Sequence, residues 1–233
     1  MPTANPAGWT RIFEDDFNQT LAEGQFTVLN STLWTAYPDG YPNSWWDTSH
    51  NGFYTPNIVS QHDSMLDMYV RKISGVWRVA APLPLLPGGI DKTSMRVAVR
   101  FKADQTIGFK TAWLTWPQSG NWPIDGEIDF PEGNLNSTIS AFMHRQNATT
   151  GSDQDGFSTS ATYGTWHTAI FEWEAGVRCK FILDGITIGD VTSRVPNTPM
   201  HYVMQTETRL SGGPPPTGAA AHVYADWFVV WVK

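Results

Sequence analysis

Apolar residues recur at every second position along most of this chain, and no stretch repeats them at the spacing of an amphipathic helix. Met95, Val97, Val99 and Phe101 alternate with Arg96, Ala98 and Arg100. His167, Ala169, Phe171 and Trp173 do the same, and so do Val223, Ala225, Trp227, Val229 and Trp231. In the last two segments both faces are largely apolar near the middle, as central strands require. Glycine and proline, 20 and 16 copies among 233 residues, punctuate the strands. Asp184-Gly185 between Phe181–Leu183 and Ile186–Ile188 reads as a tight hairpin turn. This pattern predicts an all-β sandwich or barrel. No linker or repeat divides the chain, so residues 1–233 are read as one catalytic-sized domain.

Charge narrows the partners. The net charge is -7, charged residues are few, and lysine and arginine are scattered rather than clustered. Nucleic acid and anionic membranes are therefore not expected as partners. No stretch approaches the ~18 apolar residues of a membrane span. The start, Met1 to Pro6, has no basic and apolar segments of the signal-peptide kind. The single cysteine, Cys179, lies in an apolar strand and is expected to be inert.

Chemistry concentrates in Gly126-Glu127-Ile128-Asp129-Phe130-Pro131-Glu132-Gly133. On a regular strand Glu127 and Asp129 share one face, and Ile128 and Phe130 point to the core. Strict alternation would turn Glu132 toward the core, an unfavourable place for a carboxylate. One extra residue at Phe130-Pro131 restores its direction, and a β-bulge tolerates proline. The prediction is a bulge that sets Glu127, Asp129 and Glu132 side by side. Mutual repulsion keeps at least one of them protonated near neutral pH. A carboxylate beside a carboxylic acid suits a retaining glycosidase, whose two groups stand about 5–5.5 Å apart. A divalent-metal site and a solvated acidic edge remain alternatives at this point.

The acidic strand resembles the Glu-x-Asp-x-x-Glu signature of the bulged branch of glycoside hydrolase family 16. Phe13 to Asn18, Phe109 to Leu114 with Trp122-Pro123, Ser140 to His144, His167 to Gly185 and Val223 to Val232 resemble other family segments in the family's order. The resemblance implies a jelly-roll sandwich of two curved antiparallel sheets with an open, polysaccharide-binding cleft. It implies Glu127 as nucleophile, Glu132 as general acid/base and Asp129 as the group that tunes Glu127. Phe130-Pro131 departs from the aliphatic or Met pair common in that branch. The implied activity is a retaining endo-glycoside hydrolase acting on a β-1,3- or mixed-linked glucan or a galactan. No cofactor is required, the protein is expected to work as a monomer, and its polymeric substrate implies an extracellular location. A non-catalytic lectin-like protein of the same fold, a phage or cell-wall polysaccharide-degrading component, and a lyase are the competing readings.

Substrate-binding candidates surround the signature. Trp113 and Trp122 precede it and are cleft candidates by resemblance, since a sugar's C–H face packs on an indole. Trp45 and Trp46 sit in a polar loop, and adjacent tryptophans on a strand cannot both point inward. His144 follows on the next strand, where the resemblance puts a cleft-facing histidine. Gln205 and Glu207 share one face of the strand His201–Thr208 and could bind sugar hydroxyls. The resemblance also implies a candidate structural calcium site at Asp226 and Glu14, although calcium wants more oxygens than two side chains supply.

Overall fold

The computed structural model describes residues 1–43 and 52–233. The first strands are β1 (Thr10–Asp15), β2 (Trp34–Ala36), β3 (Gly52–Tyr54), β4 (Val59–His62), β5 (Met65–Ile73) and β6 (Val76–Val79). Then come β7 (Pro82–Pro84), β8 (Ser94–Ala103), β9 (Phe109–Pro117), β10 (Glu127–Asn134), β11 (Thr138–His144) and β12 (Gln154–Thr162). The last are β13 (His167–Glu174), β14 (Arg178–Leu183), β15 (Ile186–Val191), β16 (Met200–Thr208) and β17 (Ala220–Val232). A single turn of α-helix, Phe26–Leu29, sends Phe26 into the core against Trp34 and is far too short to cross a membrane.

Two sheets, antiparallel except at one edge of the larger, carry the fold, as the period-two pattern predicts. The larger has the order β15-β14-β13-β8-β17-β5-β6-β3, with β1 beside β17 and β4 beside β5. The smaller has the order β12-β11-β10-β9-β16. Strands β3 and β6 make a parallel pair, and β2 and β7 form a small separate ribbon. At Asp184-Gly185 both residues have positive φ, 50° and 81°, and Leu183 pairs with Ile186, so the hairpin turn is of the primed kind.

The core is the apolar space between the two sheets. Met95, Val97, Val99 and Phe101 face it from β8, and Ile128 and Phe130 meet them from β10. Aromatic pairs cross the gap: Phe101 on Trp113 at 5.5 Å, Phe130 on Phe181 at 5.6 Å, and Tyr202 on Phe228 at 5.4 Å between ring centres. Phe130→Ala is therefore expected to cost about 3–5 kcal/mol, read as a lower denaturant midpoint at unchanged slope. The smaller sheet uses one face for this core. Its other face is left free to build a site, and β10 lies at its centre.

Candidate active site

The acidic strand bulges where the alternation of its side chains demands it. Against β11, Asp129 pairs with Phe142 and Glu132 with Ser140. Against β9, Asp129 pairs with Leu114 and Glu132 with Ala112. Three steps along β10 thus match two steps on either neighbour, and the extra residue lies at Phe130-Pro131. Phe130 stays in the core while Glu132 turns to the face of Glu127 and Asp129. That face is the floor of a groove. Its recesses share Leu114, Glu127, Gln205 and Glu207 on one side of the acids, and Lys110, Glu132, Phe142 and Leu210 on the other.

The acids are less exposed than the sequence suggests. Glu127 and Asp129 keep only 5% and 3% of their surface, because groove walls rise around them. Burial comes first among the causes that push Glu127 well above the usual carboxylate range, followed by the charges of Asp129 and Glu132. An indole hydrogen bond from Trp122 works the other way and favours its ionised form. Asp129 is pushed up to about 6, by burial and then by Glu132, against His144 and Lys110. The charge of Asp129 disfavours a second charge on Glu127, so the two carboxyls titrate as a pair rather than independently.

His144 lies directly opposite Glu127 in the ladder. Its Nε2 is 3.4 Å from Asp129 Oδ2 and 3.8 Å from Glu127 Oε2. Burial opposes charge on His144, but the contact with Asp129 and the charges of Asp129 and Glu132 outweigh it and raise its pKa. Glu127, Asp129 and His144 also place donor atoms within 4.8 Å of one another, a spacing that a divalent cation could bridge.

Raised carboxylates make a stability prediction. A folded-state pKa above the unfolded one means the native state binds the proton more tightly. The Asp129 contribution is therefore full below 3.8 and is lost as pH rises through about 6. Asp129→Asn should raise the melting temperature at pH 8 by more than at pH 4. Equal changes at both pH values in thermal melts would contradict the burial argument.

The walls are aromatic on one side. Trp122 stacks near Trp116, with ring centres 6.3 Å apart and planes within 19°, and meets the His144 ring edge-on at 5.8 Å. Gly151 lies so close to Trp122 that a Cβ there would fall 2.3 Å from the indole, so only glycine lets the ring sit in this position. Tyr37, Tyr41 and Tyr54 pack edge to face at 5.2 and 6.0 Å and close the groove beside Glu127. Gln205 and Glu207 point into the groove from β16, as their shared parity implies. The Tyr54 hydroxyl lies 2.9 Å from Gln205 Oε1 and 2.8 Å from Glu207 Oε1, and Gln205 Nε2 donates to the Tyr37 hydroxyl at 3.4 Å.

Several expected positions need correction. Trp113 is fully buried between the sheets against Phe101, so it is not a cleft residue. The strand offers Ala112, Leu114 and Trp116 to the groove, and therefore turns Trp113 to the core. Trp116 is the tryptophan of β9 that lines the site. Trp45 and Trp46 lie outside the described residues. Asp226 and Glu14 do not fit a calcium site: Arg100 Nη1 sits 2.5 Å from Asp226 Oδ2, and Arg11 Nη1 sits 2.7 Å from Glu14 Oε2. Each carboxylate already has a guanidinium as its counterion.

Sequence reasoning missed Lys110, Trp116 and the three tyrosines. Trp116 and Lys110 carry a signal, because both have the parity of Leu114 and would follow from placing Trp113 in the core. The tyrosines carry none, since they come from the amino-terminal third and reach the groove only through tertiary packing.

No family model and no curated protein matches this sequence. Solved structures resemble it over its whole length. One is an endo-1,3-β-glucanase from Streptomyces sioyaensis, 20% identical, with 99% of each chain covered and a TM-score of 0.79. Another is the laminarinase from Rhodothermus marinus, 19% identical, covering 97% of this chain and 98% of that one, with a TM-score of 0.78. A third is SCLam, a non-specific endo-β-1,3(4)-glucanase from glycoside hydrolase family 16, 19% identical, covering 100% and 94%, with a TM-score of 0.78. At this identity the likeness establishes the fold.

Proposed function

We propose that this chain is a retaining endo-glycoside hydrolase of the family 16 type, cutting a β-1,3- or mixed-linked glucan. The observation that carries the reading is the bulge. It sets Glu132 on the groove face of β10 beside Glu127 and Asp129, where a regular strand would send it into the core. The fold shared with β-glucanases supports the substrate class, and a galactan is the next candidate.

The chemistry follows from the arrangement. Glu127 attacks the anomeric carbon as Glu132 gives its proton to the departing glycosidic oxygen. Positive charge developing on the sugar draws negative charge onto Glu127, and Asp129 is placed to keep a proton that Glu127 gives up. The Trp122 indole N–H supports the charged Glu127. Glu132, now ionised, takes a proton from water, which displaces Glu127 and restores the starting configuration. Both half-reactions use groups of this chain alone, so no cofactor is needed. Trp116, Trp122 and the tyrosines supply faces for sugar rings, and the continuous groove accommodates an internal stretch of polymer. A monomer acting outside the cell, where such polymers occur, fits this reading.

A lectin of the same fold would have no use for Glu127 and Asp129 buried against each other, since that pairing opposes ionisation and offers binding nothing in return. The deciding experiment is product analysis on β-1,3-glucan, mixed-linked glucan and galactans, with NMR of the first-formed anomer. Oligosaccharides of retained configuration are expected. Inverted product, or no cleavage of any of these polymers, would sink the proposal.

A further inference from the structure

Lys110 is a buried lysine in the groove that the displacement chemistry leaves without a role. It stands on the groove face of β9, with Nζ 2.6 Å from Glu132 Oε1 and 3.9 Å from Glu207 Oε2. Glu207 is its direct ladder partner on β16 and is buried as well, anchored by the Tyr54 hydroxyl. Taking such ions out of water costs several kcal/mol each, by order of magnitude, and an apolar pair would hold the same two strands together at least as well. Stability is therefore a poor reason for this pair, whereas buried charge beside a reacting group is a common means of controlling it.

The groups facing Glu132 define what the pair can do. Its own strand contributes Asp129 and Glu127, β9 contributes Lys110, β11 contributes His144, and β16 contributes Glu207. Tyr163, beyond β12, lies near enough to feel the Glu132 charge, with its hydroxyl engaged by Thr111 at 2.7 Å. Four carboxylates thus share the groove floor with one lysine and one histidine. Lys110 is the cation in contact with Glu132, and Glu207 competes for the same ammonium.

We infer that Lys110 and Glu207 are positioning residues that act in opposite senses on the acid/base, Lys110 favouring ionised Glu132 and Glu207 favouring its protonated form. The assignment of Glu132 as acid/base rests on the proposed function. A retaining enzyme needs both forms in turn: the acid to release the leaving group and the carboxylate to activate water. A lysine alone beside Glu132 would hold it ionised and slow the first step. A second carboxylate on the far side of that lysine moderates its pull.

The test reads the Glu132 carboxyl directly, by carbon-13 NMR titration of the full chain. Lys110→Met should move its midpoint up by about one pH unit or more, and Glu207→Gln should move it down. Lys110→Arg should restore the wild-type midpoint. In turnover, the alkaline limb of kcat/KM should move in the same two senses. A merely structural pair would change amplitude without moving the midpoint. Movement in one direction for both substitutions, or in neither, overturns the inference. Should Lys110→Met fail to fold, the near-isosteric Glu207→Gln keeps the test decisive, because a midpoint that does not fall refutes it. Absence of glucan cleavage by the wild type would refute the hydrolase reading and leaves the carboxyl titration as an independent measurement.

Discussion

Glu127→Gln is expected to lose more turnover than any other single change, exceeding the ~10²–10⁴-fold that removing a general acid costs. Without an ionisable oxygen at this position no glycosyl-enzyme bond can form, and no neighbour can replace it. Asp129 follows on the same face, but it pairs with Leu114 and Phe142 at a different height on the strands. The folded state should not suffer. Glu127 is buried, its pKa is raised, and an uncharged amide avoids the cost of ionising it there. The expected result is an inactive protein whose melting temperature at pH 7 equals or exceeds that of the wild type. Retained turnover on a polymer that the wild type cuts would remove Glu127 from the mechanism.

Glu132→Gln should cost about 10²–10⁴-fold on a polysaccharide, and the loss should depend on the leaving group. An aryl glycoside with an acidic phenol needs no proton on departure, so its first step should survive and the glycosyl-enzyme should accumulate. Azide, which needs no base, should then restore turnover and give a glycosyl azide of retained configuration. Uniform loss on both substrates, with no rescue, would contradict the acid/base assignment. This variant needs a folding control that Glu127→Gln does not. Lys110 loses its 2.6 Å anionic partner and keeps only the more distant Glu207, which leaves a buried cation poorly compensated.

These two variants differ in stability because their environments differ, and the sequence shows only part of that difference. All three acids can be assigned to one face from the sequence, because that face follows from a local rule. Ile128 and Phe130 must be buried, Glu132 must not be, and one inserted residue reconciles them. How deeply the acids are buried could not be read from that rule. Burial depends on what stands above the strand, here Trp122 and the tyrosines brought in from remote segments. Trp113 was misplaced for a related reason. Nearly every residue of β9 is buried, so its two faces look alike in the sequence, and only pairing with β10 and β16 shows which one meets the other sheet.

The sequence by itself determined the strands β8, β13, β16 and β17, the primed turn at Asp184-Gly185, the bulge at Phe130-Pro131 and the shared face of Gln205 and Glu207. Each follows from side-chain alternation or turn conformation within a few residues, and such local preferences act wherever the chain goes. Tertiary structure alone decided that Lys110 lies against Glu132 and Glu207, that Trp116 and not Trp113 lines the groove, and that arginines hold Asp226 and Glu14. Those outcomes depend on the register between strands far apart in the chain, where a shift of one residue would exchange the two faces of a strand and put a different set of side chains in the groove.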